Sequence, residues 1–133
     1  MLRSLSVRNL VLIDSLDLEF GPGLCVLTGE TGAGKSILLD ALGLALGGRA
    51  DVALVRPGGT NQAMVVAEFA PPFDTQVGEL LAEHGLEPPE PGENLVLRRQ
   101  LTVDGRSRAF ISDQAVGVQL LRRMGSALVV IEG

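Results

Sequence analysis

Gly29-Glu30-Thr31-Gly32-Ala33-Gly34-Lys35-Ser36 fits the spacing G-x-x-x-x-G-K-[ST], the phosphate-binding loop of nucleoside triphosphatases. The spacing has a physical reason. Glycines at 29, 32 and 34 let the backbone turn tightly and aim successive N–H groups inward at a phosphate. Lys35 then reaches the β- and γ-phosphates as a mobile point charge, and the Ser36 hydroxyl is the expected magnesium ligand. A helix starting at this point adds the positive end of its dipole to the same anion site.

The flanks supply the context that such a loop needs. Leu24-Cys25-Val26-Leu27-Thr28 is a short apolar run between Gly23 and Gly29, which reads as a buried strand. Residues 37–46, Ile37-Leu38-Leu39-Asp40-Ala41-Leu42-Gly43-Leu44-Ala45-Leu46, are apolar on nearly every face. They predict a helix sandwiched inside the fold and stopped by Gly47-Gly48. Strand, glycine loop and buried helix follow one another without a gap. The expected ligands are ATP and Mg2+.

The composition narrows the class. A chain of 133 residues with 46% hydrophobic residues can bury one core, and its regular Gly and Pro punctuation excludes a disordered protein. The longest apolar segment is about half a membrane span and is interrupted by Asp40, so no bilayer crossing is expected. Met1-Leu2-Arg3-Ser4-Leu5-Ser6 lacks the pattern of a secretion signal. The single Cys25 cannot form an internal disulfide; it reads as a small core residue in a reducing cytoplasm. A net charge of −5 makes the chain as a whole a poor nucleic-acid binder, and four Phe with no Tyr or Trp argue against base-stacking platforms.

Elsewhere, periodicity predicts strands at 2–8 and 14–20, the second with Leu16, Leu18 and Phe20 alternating against Asp17 and Glu19. Residues 49–63 read as a loop, and Val65 to Phe69 as a strand ended by Pro71-Pro72. Asp74 is the expected N-cap of a short helix carrying Val77, Leu80, Leu81 and His84 on one face, with Gly85 as terminator. His84, the one histidine, reads as a capping or packing residue. Leu95–Leu101 and Arg108–Ile111 predict a hairpin around Asp104-Gly105. A helix over 117–124 ended by Gly125, then a strand over Leu128–Ile131, complete the expectation.

Other reaction classes are tested by what they require. Hydrolysis needs a carboxylate at the end of an apolar strand, and Leu128-Val129-Val130-Ile131-Glu132 alone has that form. Glu132 is therefore the candidate catalytic carboxylate. A GTPase needs Asn-Lys-x-Asp, which is missing from the sequence. A self-contained kinase or phosphotransferase needs an arginine lid, which Arg98, Arg99, Arg106 and Arg108 could imitate; the plainer reading is the wet face of an edge hairpin. A nucleotide-binding module without turnover is the third alternative. Nucleophilic catalysis through His84 has no sequence partner.

The opening Leu2-Arg3-Ser4-Leu5-Ser6-Val7-Arg8-Asn9-Leu10-Val11-Leu12-Ile13 resembles the start of SMC-like ATPase heads, in which a leading strand ends in an Asn. The loop Gly29–Ser36, Asp40-Ala41-Leu42, Leu46-Gly47-Gly48-Arg49-Ala50, Leu97-Arg98-Arg99, Asp104-Gly105-Arg106-Ser107-Arg108 and Phe110-Ile111 together look like the RecN family of bacterial double-strand-break repair ATPases. The resemblance runs over essentially the whole chain. Family members often carry His where this chain has Glu132, and a Gln follows the position of Gly133.

That resemblance implies an α/β P-loop NTPase fold of ABC/SMC type. Residues 1–133 would be the N-terminal lobe of a split ATPase head. Its sheet would be mixed, with the buried helix behind the phosphate loop and an antiparallel β subdomain. It also implies a coiled coil and a C-terminal lobe outside these residues, two-fold head dimerisation on ATP, and work on DNA in the nucleoid. An isolated N-terminal lobe is expected to be inactive.

Overall fold

Strand-by-strand alternation decides the inner and outer faces of the sheet. In β1 (Leu2–Leu10), Leu5 and Val7 are buried while Ser4, Ser6 and Arg8 point the other way. The same period of two runs through β3 (Gln62–Phe69), β4 (Leu95–Thr102) and β5 (Ser107–Ile111). β2 (Ile13–Glu19) and β6 (Gln114–Val116) complete a six-stranded sheet in the order β2-β1-β3-β4-β5-β6, every neighbouring pair antiparallel. This computed structural model describes residues 2–10, 13–19, 41–48, 55, 62–71, 73 and 75–128. The antiparallel subdomain lies within them. The strands at 24–28 and 129–131 expected to make the sheet mixed, and the N-cap Asp74, lie outside the described residues.

Three helical segments meet the inner face. Of α1, residues 41–45 are described; α2 spans Thr75–Glu83 and α3 spans Val118–Leu128. Ala41, Leu44 and Ala45 of α1 share one buried cluster with Val77, Leu80 and Leu81 of α2, Leu121 and Met124 of α3, and the inner residues of β1, β3, β4 and β5. α1 is not wrapped on all sides as its composition suggests: Gly43 is exposed and Leu42 and Leu46 are half-buried.

The helix ends follow glycine chemistry. Gly47 sits at φ 92°, its N–H donates to Leu44 O, and Gly48 N–H donates to Gly43 O at 2.8 Å. These two bonds close α1 with a Schellman motif. Gly85, at φ 69°, ends α2 the same way: Gly85 N–H bonds Ala82 O and Leu86 N–H bonds Leu81 O. His84 adds its Nδ1 contact to Leu80 O at 3.0 Å, a helix-end packing role as expected.

Three elements and one side chain depart from expectation. β3 begins at Gln62, inside the predicted loop 49–63, because Ala63 and Val65 extend the buried row opposite Leu101 and Arg99. β6 is an additional strand, reached through Ser112 and Asp113, both in the left-handed region without being glycine. α3 passes through Gly125 instead of stopping there, so Leu128 is helical and not the start of a strand. Gly125 is a point of close approach: a Cβ there would stand 3.0 Å from Leu46 Cβ and from Leu46 O. The fourth departure is Arg99, which belongs to the core.

Candidate nucleotide site

The predicted phosphate-loop residues Gly29, Glu30, Thr31, Gly32, Ala33, Gly34, Lys35 and Ser36, and the candidate carboxylate Glu132, lie outside the described residues. What the structure describes is the frame on either side: β2, which precedes the loop in sequence, and the end of α1, which follows it.

That end of α1 is held by two guanidinium groups. Arg99 on β4 is 2% exposed; its Nη1 donates to Leu44 O at 3.2 Å and to Gly48 O at 2.8 Å. Its Nε donates to Ser107 Oγ at 2.6 Å, which ties the same side chain to β5. Arg122 on α3 donates from Nε to Gly47 O at 3.2 Å. Carbonyls in the last turn of a helix lack intrahelical partners, and cations there also meet the negative end of the dipole. Burial pushes the Arg99 guanidinium below its ordinary value, and the nearby charge of Arg122 adds to that. A guanidinium stays protonated nonetheless.

The approach of α3 is equally specific. A Cβ on Gly47 would lie 2.6 Å from both Cα and N of Arg122. Only glycine allows this backbone contact together with the positive φ.

At the other side of the frame, Asn9 ends the regular run of β1 at φ 60°, buried, with Nδ2 donating to Gln62 O at 3.0 Å. It joins the β1–β2 hairpin to the start of β3. Arg8 pairs with Asp17 across that hairpin at 2.9 Å. A hydrogen bond from Ser6, then one from Arg8, holds the Asp17 carboxyl below its usual range.

The arginine cluster divides between two faces, which corrects its reading as one wet surface or as a lid. Arg99 points into the core. Arg98 lies outward with its guanidinium 4.2 Å from the Phe110 ring centroid and Nη1 3.3 Å from Asp113. Arg106 pairs with Asp104 at the hairpin tip, and Arg108 is on the outer face. Asp104 also accepts from the Thr102 hydroxyl and from Arg106 N–H; these bonds, Thr102 first, lower its carboxyl. Sequence reasoning missed the role of Arg99. The available signal was its parity with Leu95, Leu97 and Leu101, which puts it on the buried side of β4.

Among the described residues no group of His, Cys, Asp or Glu converges as a metal site, and no helix is long and apolar enough to cross a membrane.

The AAA domain family matches residues 4–69. The DNA repair protein RecN of Vibrio cholerae is 44% identical over 135 residues, covering 100% of this chain and 23% of the relative. RecN of Haemophilus influenzae is 39% identical over 133 residues, covering 100% of this chain and 24% of the relative. A solved SMC ATPase structure, described for ATP-driven dimerisation and DNA-stimulated activation, superposes with a TM-score of 0.73 at 20% identity, covering 96% of this chain and 78% of that one.

The chain has the P-loop NTPase fold seen in solved SMC heads. By sequence it matches RecN proteins over its whole length, along an N-terminal segment of them. It spans about a quarter of the length of those relatives (23% and 24%).

Proposed function

We propose that the chain is the ATP-binding lobe of an SMC-like ATPase acting in recombinational repair of DNA double-strand breaks. Gly29, Gly32 and Gly34 would shape the cradle, with the backbone N–H groups of Glu30, Thr31 and Ala33 aimed at phosphate. Lys35 would neutralise the β- and γ-phosphates and Ser36 would ligate Mg2+. The observation that carries this reading is the end-to-end match to RecN, 44% identical in one relative, with an unbroken phosphate loop.

The partners follow from the same comparison. The half-buried Leu42 and the exposed Gly43 leave one side of α1 for a complementary C-terminal half of the head. Two such heads would close on ATP, as the SMC relative is described to do, and DNA would engage the full-length protein at the nucleoid. Glu132 remains the candidate hydrolytic carboxylate.

The test is nucleotide titration of the full-length gene product and its Lys35→Ala variant, with circular dichroism to confirm folding. Loss of most ATP affinity in a folded variant is expected. Undiminished ATP affinity in Lys35→Ala would remove the reading.

A further inference from the structure

Among the described residues Arg99 is the single charged side chain in the core, and no carboxylate pairs with it. Burying a cation without a counter-ion is expensive, and an apolar side chain of similar length would fill the space without that penalty. The guanidinium supplies geometry that an apolar residue lacks. It is a planar fork with donors at fixed spacing. One prong is anchored in the sheet through Ser107 on β5, and the other takes Leu44 O and Gly48 O, four residues apart at the end of α1.

A grip on two carbonyls four residues apart at the end of α1 fixes the helix along its axis as well as around it. A helix is stiff along its length, so a displacement at its end is carried to its beginning. By sequence, the helix expected over 37–46 would begin beside Lys35 and Ser36. Arg122 touches Gly47 O, between the two carbonyls that Arg99 holds, so β4 and α3 set one position jointly.

We propose that Arg99 is a positioning residue for the phosphate loop. Anchored through Ser107, it sets the axial position of α1, and thereby where Lys35 and Ser36 meet the β- and γ-phosphates. The proposal rests on the nucleotide-site reading above. Contacts to the γ-phosphate of ATP are the most sensitive to such a shift, since displacements well under 1 Å weaken charge-assisted hydrogen bonds and turnover depends on alignment.

The experiment compares Arg99→Met, Arg99→Lys and Ser107→Ala in the full-length gene product, with Lys35→Ala alongside. Each is measured for melting temperature, ADP and ATPγS affinity, and kcat and KM per folded molecule. In Arg99→Met, turnover is expected to fall at least tenfold and ATPγS affinity more than ADP affinity. Arg99→Lys, with charge but no fork, should recover only part. Ser107→Ala, which frees the anchored prong, should shift kcat in the same direction by a smaller factor. If the variants melt earlier but keep wild-type kcat, KM and ATPγS-to-ADP ratio, Arg99 merely supports the fold and the proposal is overturned. Should Arg99→Met not fold, the lysine and Ser107→Ala variants decide by the same criterion. Wild-type ATP binding by Lys35→Ala would instead defeat the nucleotide-site reading, a separate and distinguishable result.

Discussion

Arg99 and Gly48, 51 residues apart in sequence, are joined by a 2.8 Å hydrogen bond from Nη1 to a main-chain carbonyl. The bond ties the antiparallel sheet to the end of the helix that follows the phosphate loop. Because the acceptor is main chain, substitutions at position 48 preserve it only if the turn keeps its shape. That shape depends on Gly47.

Gly47→Ala is expected to destabilise the protein by about 3 kcal/mol, combining left-handed backbone strain with a clash against the α3 backbone. The new Cβ would stand 2.6 Å from Arg122 Cα and N, atoms that cannot move without shifting α3. Urea unfolding with an unchanged m-value would measure it. A loss under about 1 kcal/mol would show that α3 yields at that contact.

Two helical glycines should respond in opposite directions. Gly78 in α2 is exposed and its added Cβ would meet nothing within 4 Å, so Gly78→Ala should stabilise by about 0.5–1 kcal/mol through helix propensity alone. Gly125 in α3 faces Leu46 Cβ and O at 3.0 Å, so Gly125→Val should destabilise by roughly 2 kcal/mol. Thermal unfolding of the pair checks both signs.

These glycines also mark what a linear reading can and cannot recover. Gly47 and Gly85 were legible as helix stops because a left-handed terminus follows from local chemistry. Gly125 looks the same in one dimension, yet its reason for being glycine is Leu46, far away in sequence. The β4–β5 hairpin was legible from Asp104-Gly105, whereas the β5–β6 hairpin turns on Ser112 and Asp113, which carry no glycine signal. The arginines read as a cluster of charge. Strand parity separates Arg99 from its neighbours, and only the fold shows the helix carbonyls that receive it. The phosphate-loop motif is carried by consecutive residues, Gly29 to Ser36, which lie outside the described residues.

Stability should fall on the acid side through Asp17 and Asp104. Both carboxyls titrate below their ordinary 3.8 in the folded protein, held down by Ser6 with Arg8, and by Thr102 with the Arg106 N–H. A lowered folded-state value means the contribution is present above the unfolded value and is lost as pH falls through the folded one. Unfolding midpoints for the wild type and Asp17→Asn should therefore converge as pH drops from about 5 to about 2. Both groups are solvent-exposed, so added salt should shrink the difference. A gap that stays constant over this window would mean that the neutral side chain makes equally good contacts with Ser6 and Arg8.

The present segment alone is expected to bind nucleotide without turning it over. Its phosphate loop is unbroken, but hydrolysis also needs a carboxylate positioned at a strand end and a group that aligns water. Glu132 is the single candidate acid of that form here, and the match covers 23% of one relative, so most of that relative's length lies outside it. Steady-state ATPase assays of the segment, then of the segment mixed with the remainder of the gene product, should show activity only in the mixture. Lys35→Ala in the segment should abolish that restored activity. Turnover by the segment alone that disappears in Glu132→Gln would make Glu132 the working carboxylate and return the self-contained phosphotransferase to first place.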